Sequence, residues 1–143
     1  MIDVAALNAR IEAARCELSS DDNVKGILSL ATRTQIWKTM LDVDDIERSY
    51  RDRTQLHMAC VRHVQFVWEM VFPGDNGVEE LLSLTQKLID QTVSTDEVKV
   101  RSESFLNDVE ARGTEDPTAL RAAMVADAAS HMVNSACHRD LYA

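Results

Sequence analysis

Apolar residues recur every three or four positions along almost the whole chain, a spacing that places them on one side of an α-helix. The 143 residues include only four Gly and two Pro, so little interrupts helices or supplies the tight turns of a β-fold. A chain of this length buries roughly 68–70% of its unfolded surface, enough for one domain without a metal or disulfide. The sequence predicts an all-α fold, a single compact bundle of about six helices over residues 1–143.

The breaks between apolar stretches give the approximate bounds of these helices. They are predicted at residues 3–18, 24–41, 46–72, 78–91, from a cap at Ser94 to Gly113, and from Pro117 to Cys137. Ser94 and Glu97 have the spacing of a capping box, in which each satisfies the other's free amide. Asp116 before Pro117 predicts an N-cap followed by proline in the first helical position.

Four of these helices carry specific expectations about burial. The helix predicted at residues 78–91 should bury its apolar residues Val78, Leu81, Leu82, Leu84, Leu88 and Ile89. The first should bury the stripe Val4, Leu7, Ile11, Ala14 and Leu18. The second half of the third, from Met58 to Phe72, is nearly all apolar, and a helix that is apolar on most faces must be surrounded. We therefore expect this half at the centre of the core. The last helix is rich in alanine, which permits close approach of its neighbours.

The negative charge is concentrated in one segment. Between Pro73 and Asp116 there are eleven acids and four bases, which supply most of the net charge of −9. Such an imbalance says little about fold but influences partners and association rates. Because nucleic acid and anionic membrane surfaces are also negative, neither is expected as a direct ligand.

No pattern in the chain indicates an enzyme. There is no phosphate-binding glycine loop and no nucleophile motif, and His138-Arg139-Asp140 lacks the companion motifs of a kinase. The three cysteines are far apart, which argues against a disulfide framework or a zinc site. Asp127 and His131 share a helix face, but such a pair is usually a local contact. We predict no catalytic residue, no cofactor and no metal site.

The chain also lacks targeting signals. Its first residues carry an acid where a signal peptide needs bases, and no stretch approaches the ~20 apolar residues of a membrane span. We therefore expect a cytoplasmic protein.

Several short motifs resemble those of a helical immunity family of bacterial polymorphic toxin systems. The run from Ala59 to Glu69, the Phe72-Pro73-Gly74-Asp75 turn and the acidic Ser94-Thr95-Asp96-Glu97 stretch are similar to that family's pattern. The alanine-rich last helix, with Asp127, His131 and His138, is similar to its ending. The resemblance covers about residues 56–139. It implies a small cytoplasmic protein that binds a cognate toxin and blocks its active site.

The acidic segment and the resemblance together predict how a toxin is bound. Many such toxins are basic nucleases, so an acidic surface would steer the encounter and occupy the site meant for phosphates. The residues predicted to form it are Asp75, Glu79, Glu80, Asp90, Asp96, Glu97, Glu103, Asp108 and Glu110. Aromatic anchors would add affinity, with candidates Trp37, Tyr50, Trp68 and Tyr142, of which Trp68 better fits the core.

Two alternatives remain open. In the first, the chain is an interaction or regulatory module whose exposed stripe pairs with a second copy or with another helical protein, and the alanine-rich last helix suits close packing in a homodimer. In the second, it is a ligand-binding or metal-dependent bundle that uses Asp127, His131 and His138.

Overall fold

A computed structural model describes residues 1–113 and 115–140. Over these residues the chain forms six α-helices and no strand, which confirms the all-α prediction. The helices are α1 Val4–Ser19, α2 Leu30–Met40, α3 Ile46–Val71, α4 Gly77–Ile89, α5 Thr95–Ala111 and α6 Pro117–Ala136. None of the helices in this part of the chain is both long and apolar enough to cross a membrane.

The chain divides into two compact units, and each is described by itself. The first comprises Met1–Arg53 and contains α1, α2 and the first turns of α3. The second begins at Thr54 and contains the rest of α3 with α4, α5 and α6. The expectation of a single domain stays a prediction.

In the first unit, α1 and α2 pack against each other, but α2 begins later than predicted. The expected start near residue 24 is wrong because Gly26 adopts a left-handed conformation with φ +61°. The helix begins only at Leu30, where the Ser29 side chain accepts a hydrogen bond from the Thr32 N–H at 3.2 Å. The Glu17 carboxylate accepts hydrogen bonds from Thr32 and Ser29, and these contacts hold the pKa of Glu17 below its usual value.

The predicted buried stripe of α1 is wrong at both ends. Only Ala14 is buried, while Leu7 and Ile11 are half-buried and Val4 and Leu18 are exposed. The helix α1 therefore carries apolar residues beyond the part of its surface that α2 covers.

The core of the second unit lies where α6 packs against α4 and α5. The alanine face of α6 makes this packing close: Ala122, Ala126 and Ala129 are completely buried. The six apolar residues predicted for the inner side of α4 are all buried: Val78, Leu81, Leu82, Leu84, Leu88 and Ile89. Between α5 and α6 the hydroxyl groups of Ser102 and Ser130 form a buried hydrogen bond of 3.0 Å.

The expectation that the second half of α3 is surrounded is wrong. Val61 and Trp68 face the core and are buried, but Phe66 is 58% exposed and Met70 is 73% exposed. These four residues lie on opposite sides of one helix, and the core cluster contacts a single side. The sequence of α3 is thus more apolar than its packing within the described second unit requires.

The predicted caps of α5 and α6 are largely correct. The Ser94 hydroxyl accepts from the Glu97 N–H at 3.2 Å, and Asp116 accepts from the Thr118 N–H at 2.8 Å before α6. The second half of the capping box differs, since the Glu97 carboxylate pairs with Arg101 at 3.3 Å. Gly113 follows α5 with φ +79°, a conformation that favours glycine.

Candidate functional site

Trp68 fixes the turn between α3 and α4. Its ring is completely buried and packs against Phe72 and Phe105, with ring centroids 4.7 and 5.3 Å away. Its indole N–H donates to the Asp75 carbonyl oxygen at 3.1 Å, which satisfies the polar edge of the ring. This contact positions the residues that lead into α4.

The side chain of Asp75 contacts a cationic side chain at the C-terminal end of α5. Arg112 donates to the Asp75 carboxylate at 2.5 Å, and its guanidinium lies over the Phe72 ring, 4.7 Å from the centroid. The Gly77 N–H donates to the other carboxylate oxygen at 2.8 Å. Burial raises the pKa of Asp75, but the hydrogen bonds from Gly77 and Arg112 outweigh it and hold that pKa below its usual value.

Gly77 allows α4 and α5 to approach at this point. A Cβ at Gly77 would overlap Cε2 of the Phe105 ring, far closer than carbon atoms can approach. The start of α4 therefore requires glycine for contact with α5.

The Asp75–Arg112 pair predicts a pH-dependent stability. Since the pKa of Asp75 is lowered by folding, its contribution is present above its unfolded pKa of about 3.9 and is lost as the pH falls. We expect Asp75→Asn to reduce the free energy of unfolding by about 1.5–3 kcal/mol at pH 7, as for other hydrogen bonds to charged groups. The deficit should shrink towards pH 3.

Urea unfolding at both pH values measures this difference, with Glu103→Gln as the control at an exposed acid. An equal deficit for Asp75→Asn at pH 7 and pH 3 would assign the loss to packing and not to charge.

Three of the predicted acids line one polar groove of about 540 Å³ between the start of α4 and the end of α5. Asp75, Glu80 and Asp108 share it with the bases Arg101 and Arg112. Because acids and bases are mixed here, the groove does not present a purely negative surface.

Three other predicted acids contact partners within the chain. Glu79 accepts from Gln65 at 2.7 Å and pairs with Arg62 at 3.3 Å. The Gln65 hydrogen bond and, more weakly, the Arg62 cation hold the pKa of Glu79 below its usual value despite burial, which raises it. Asp90 accepts from Gln86, and Glu97 pairs with Arg101.

The remaining three, Asp96, Glu103 and Glu110, form what we call the outer acidic face of α5. They are seven residues apart, close to two helical turns, and therefore lie on the same side of α5. All three are exposed, and among the described residues none of them takes part in an ion pair. The nine predicted acids are thus spread over the turn before α4, both ends of α4 and the length of α5, and Asp96, Glu103 and Glu110 share one side of α5.

A second groove, of about 410 Å³, lies between α3 and α6 and has a mainly apolar lining. It is lined by His57, Cys60, Val61, Val64, Ala128, His131 and Met132. At its edge His131 lies 3.5 Å from Asp127, and both side chains are largely exposed. Within residues 1–113 and 115–140, no three His, Cys, Asp or Glu side chains come together as a set of metal ligands.

The environment of Cys137 is not that of an activated nucleophile. Burial raises the pKa of the Cys137 thiol, against the opposing effect of the Lys99 charge, and so disfavours the reactive thiolate.

The predicted aromatic anchors divide between core and surface. Trp68 and Tyr50 are buried, which confirms the core assignment of Trp68 and removes Tyr50 from the exposed anchors. Trp37 is half-buried, and Tyr142 lies outside the described residues. Sequence reasoning missed Arg112, because its contact with Asp75 spans 37 residues and has no local signal.

The comparison with protein-family models finds a match. The family model of immunity protein Imm5 matches residues 11–142, which is nearly the whole chain. Neither the curated proteins nor the solved structures contain a match. Because this match covers far more than half of the chain, the chain belongs to the Imm5 immunity protein family.

Proposed function

We propose that this protein neutralises a cognate bacterial toxin by binding it through the outer acidic face of α5. Membership of an immunity protein family is the observation that carries the proposal. Immunity requires a partner, and the placement of Asp96, Glu103 and Glu110 indicates which kind of partner surface fits. The three exposed carboxylates follow one another along α5 at intervals of about two helical turns. This spacing suits a partner surface that carries a row of Lys or Arg side chains.

The chemistry of such a partner favours a nuclease. A protein that cleaves nucleic acid needs a basic surface to bind phosphates, and this surface attracts an acidic helix face equally well. An inhibitor seated there would exclude the substrate without any contact to the catalytic groups. The protein acts as a binding partner and not as an enzyme, and we place the encounter in the cytoplasm.

Electrostatic steering also fits the biological task. Complementary charge raises association from about 10⁵–10⁶ to as much as about 10⁸–10⁹ M⁻¹s⁻¹ at low salt. An immunity protein must reach its toxin before the toxin reaches its substrate, so a rapid encounter is of direct use. Affinity would then come from a few buried contacts near the acidic face.

Capture of the partner from a lysate of the source organism tests this proposal. Tagged protein is incubated with lysate at low and at high salt, and captured proteins are identified by mass spectrometry. We expect one dominant basic partner whose recovery falls at high salt. An acidic partner, or a basic one retained equally at both salt concentrations, would contradict the electrostatic part of the proposal.

A further inference from the structure

The solvent side of α3 carries a largely apolar surface. Ala59, His63, Phe66 and Met70, which we call the α3 stripe, are all exposed. They are separated by four, three and four residues, the alternation that brings side chains to one helix–helix seam. Because Val61 and Trp68 occupy the opposite, buried side, the stripe takes no part in the core of the second unit.

The residues beside the stripe show what could cover it. On one flank lie Arg62 and Glu69, seven residues apart and of opposite charge; on the other flank lie Cys60 and Val67, which are apolar. When two such helices pack antiparallel, each flank meets the same flank of the other helix. Two copies of α3 would therefore place Arg62 beside Glu69 twice, and Cys60 beside Val67 twice.

A parallel arrangement lacks this match. The charged flank of one helix would then meet the apolar flank of the other, so that Arg62 would lie beside Val67 of the partner subunit. The charge pattern thus selects one orientation, and it is satisfied by a second copy of the same chain.

We propose that two copies of this chain associate through their α3 stripes, antiparallel and related by a two-fold axis. Met70 then packs on the small Ala59 of the partner subunit, and Phe66 packs on His63 of the partner subunit. Met70 thus faces a small side chain and Phe66 faces a flat ring, which allows the two helices to pack closely. Arg62 keeps its 3.3 Å contact with Glu79, since a guanidinium offers five donors and can bind both carboxylates.

Sedimentation equilibrium of the full chain tests the proposal. We expect the mass to rise with concentration from 16.0 kDa to twice that value. Met70→Glu places two carboxylates in the apolar seam and should raise the dimer dissociation constant at least about 100-fold. Met124→Glu is the matched control, the same substitution at a methionine on α6 that is 64% exposed and lies outside the stripe.

A charge-reversal pair tests the orientation. Arg62→Glu and Glu69→Arg each create two like-charge contacts in a homodimer, and each should weaken self-association about tenfold. Mixed together, the two variants regain both opposite-charge contacts, so the heterodimer should form in preference to either homodimer. Circular dichroism of each variant shows whether it remains folded.

Three results would overturn the proposal: a monomer at every concentration into the millimolar range, equal weakening by Met70→Glu and Met124→Glu, or no heterodimer preference in the mixture. A monomeric protein whose toxin binding is lost on Met70→Glu would assign the stripe to the toxin instead. The dimer is independent of the proposed immunity function, because its surface and its measurement are both different.

Discussion

Reversing the three charges of the outer acidic face is expected to slow toxin association at least about 100-fold at low salt. In the variant Asp96→Lys/Glu103→Lys/Glu110→Lys, α5 would repel the basic surface that it is proposed to attract. The effect should fall on the association rate, because rim charges act on diffusional encounter before contact. Stopped-flow or surface-based kinetics at two salt concentrations measures it, and the difference between variant and wild type should decrease at high salt.

A control variant must distinguish the effect of the outer acidic face from the effect of the net charge. Asp21→Lys/Asp22→Lys/Asp44→Lys changes the net charge by the same amount at three exposed acids outside the acidic segment. This control should keep most of the wild-type association rate. Equal slowing by both variants would show that only net charge matters, and no slowing by either would remove the acidic face from the interface.

Replacing Trp68 by alanine is expected to reduce the free energy of unfolding by about 3–5 kcal/mol. The ring is completely buried, and its loss leaves a cavity beside Phe72 and Phe105. The Asp75 carbonyl oxygen loses its hydrogen-bond donor as well. Since domains are stable by about 5–15 kcal/mol, the loss is a large fraction of the total.

Urea unfolding followed by circular dichroism measures this loss without relying on tryptophan fluorescence. Leu120→Ala, at an exposed position of α6, is the control and should cost far less. A loss below about 1 kcal/mol for Trp68→Ala would mean that the turn into α4 does not depend on this ring.

Much of the fold could be predicted because local rules decide it. Six apolar residues of α4 were assigned to the core from their spacing alone, and all are buried since α4 has one clear apolar side. The caps at Ser94 and Asp116 also followed from short-range chemistry. Gly26 misled the prediction of α2, because glycine is tolerated near a helix start but here takes a left-handed turn.

The remaining differences between the predictions and the structure concern contacts between residues that are far apart in the sequence. The apolar second half of α3 suggested complete burial, yet spacing could not show which side its neighbours cover, and Phe66 and Met70 are exposed. The acidic segment likewise predicted one surface, whereas Asp75 and Glu79 contact bases and α5 carries a separate row of acids. Which carboxylates face an intramolecular base is decided by tertiary structure.

Protection of growing cells tests the immunity function most directly. The gene of the captured partner is induced in a bacterium that lacks this protein, with and without co-expression of the chain. We expect that the partner alone arrests growth, that the wild-type chain restores it, and that the Asp96→Lys/Glu103→Lys/Glu110→Lys variant restores it poorly despite equal expression. A partner that is harmless alone, or one whose toxicity is unchanged by the wild-type chain, would contradict the proposed immunity function.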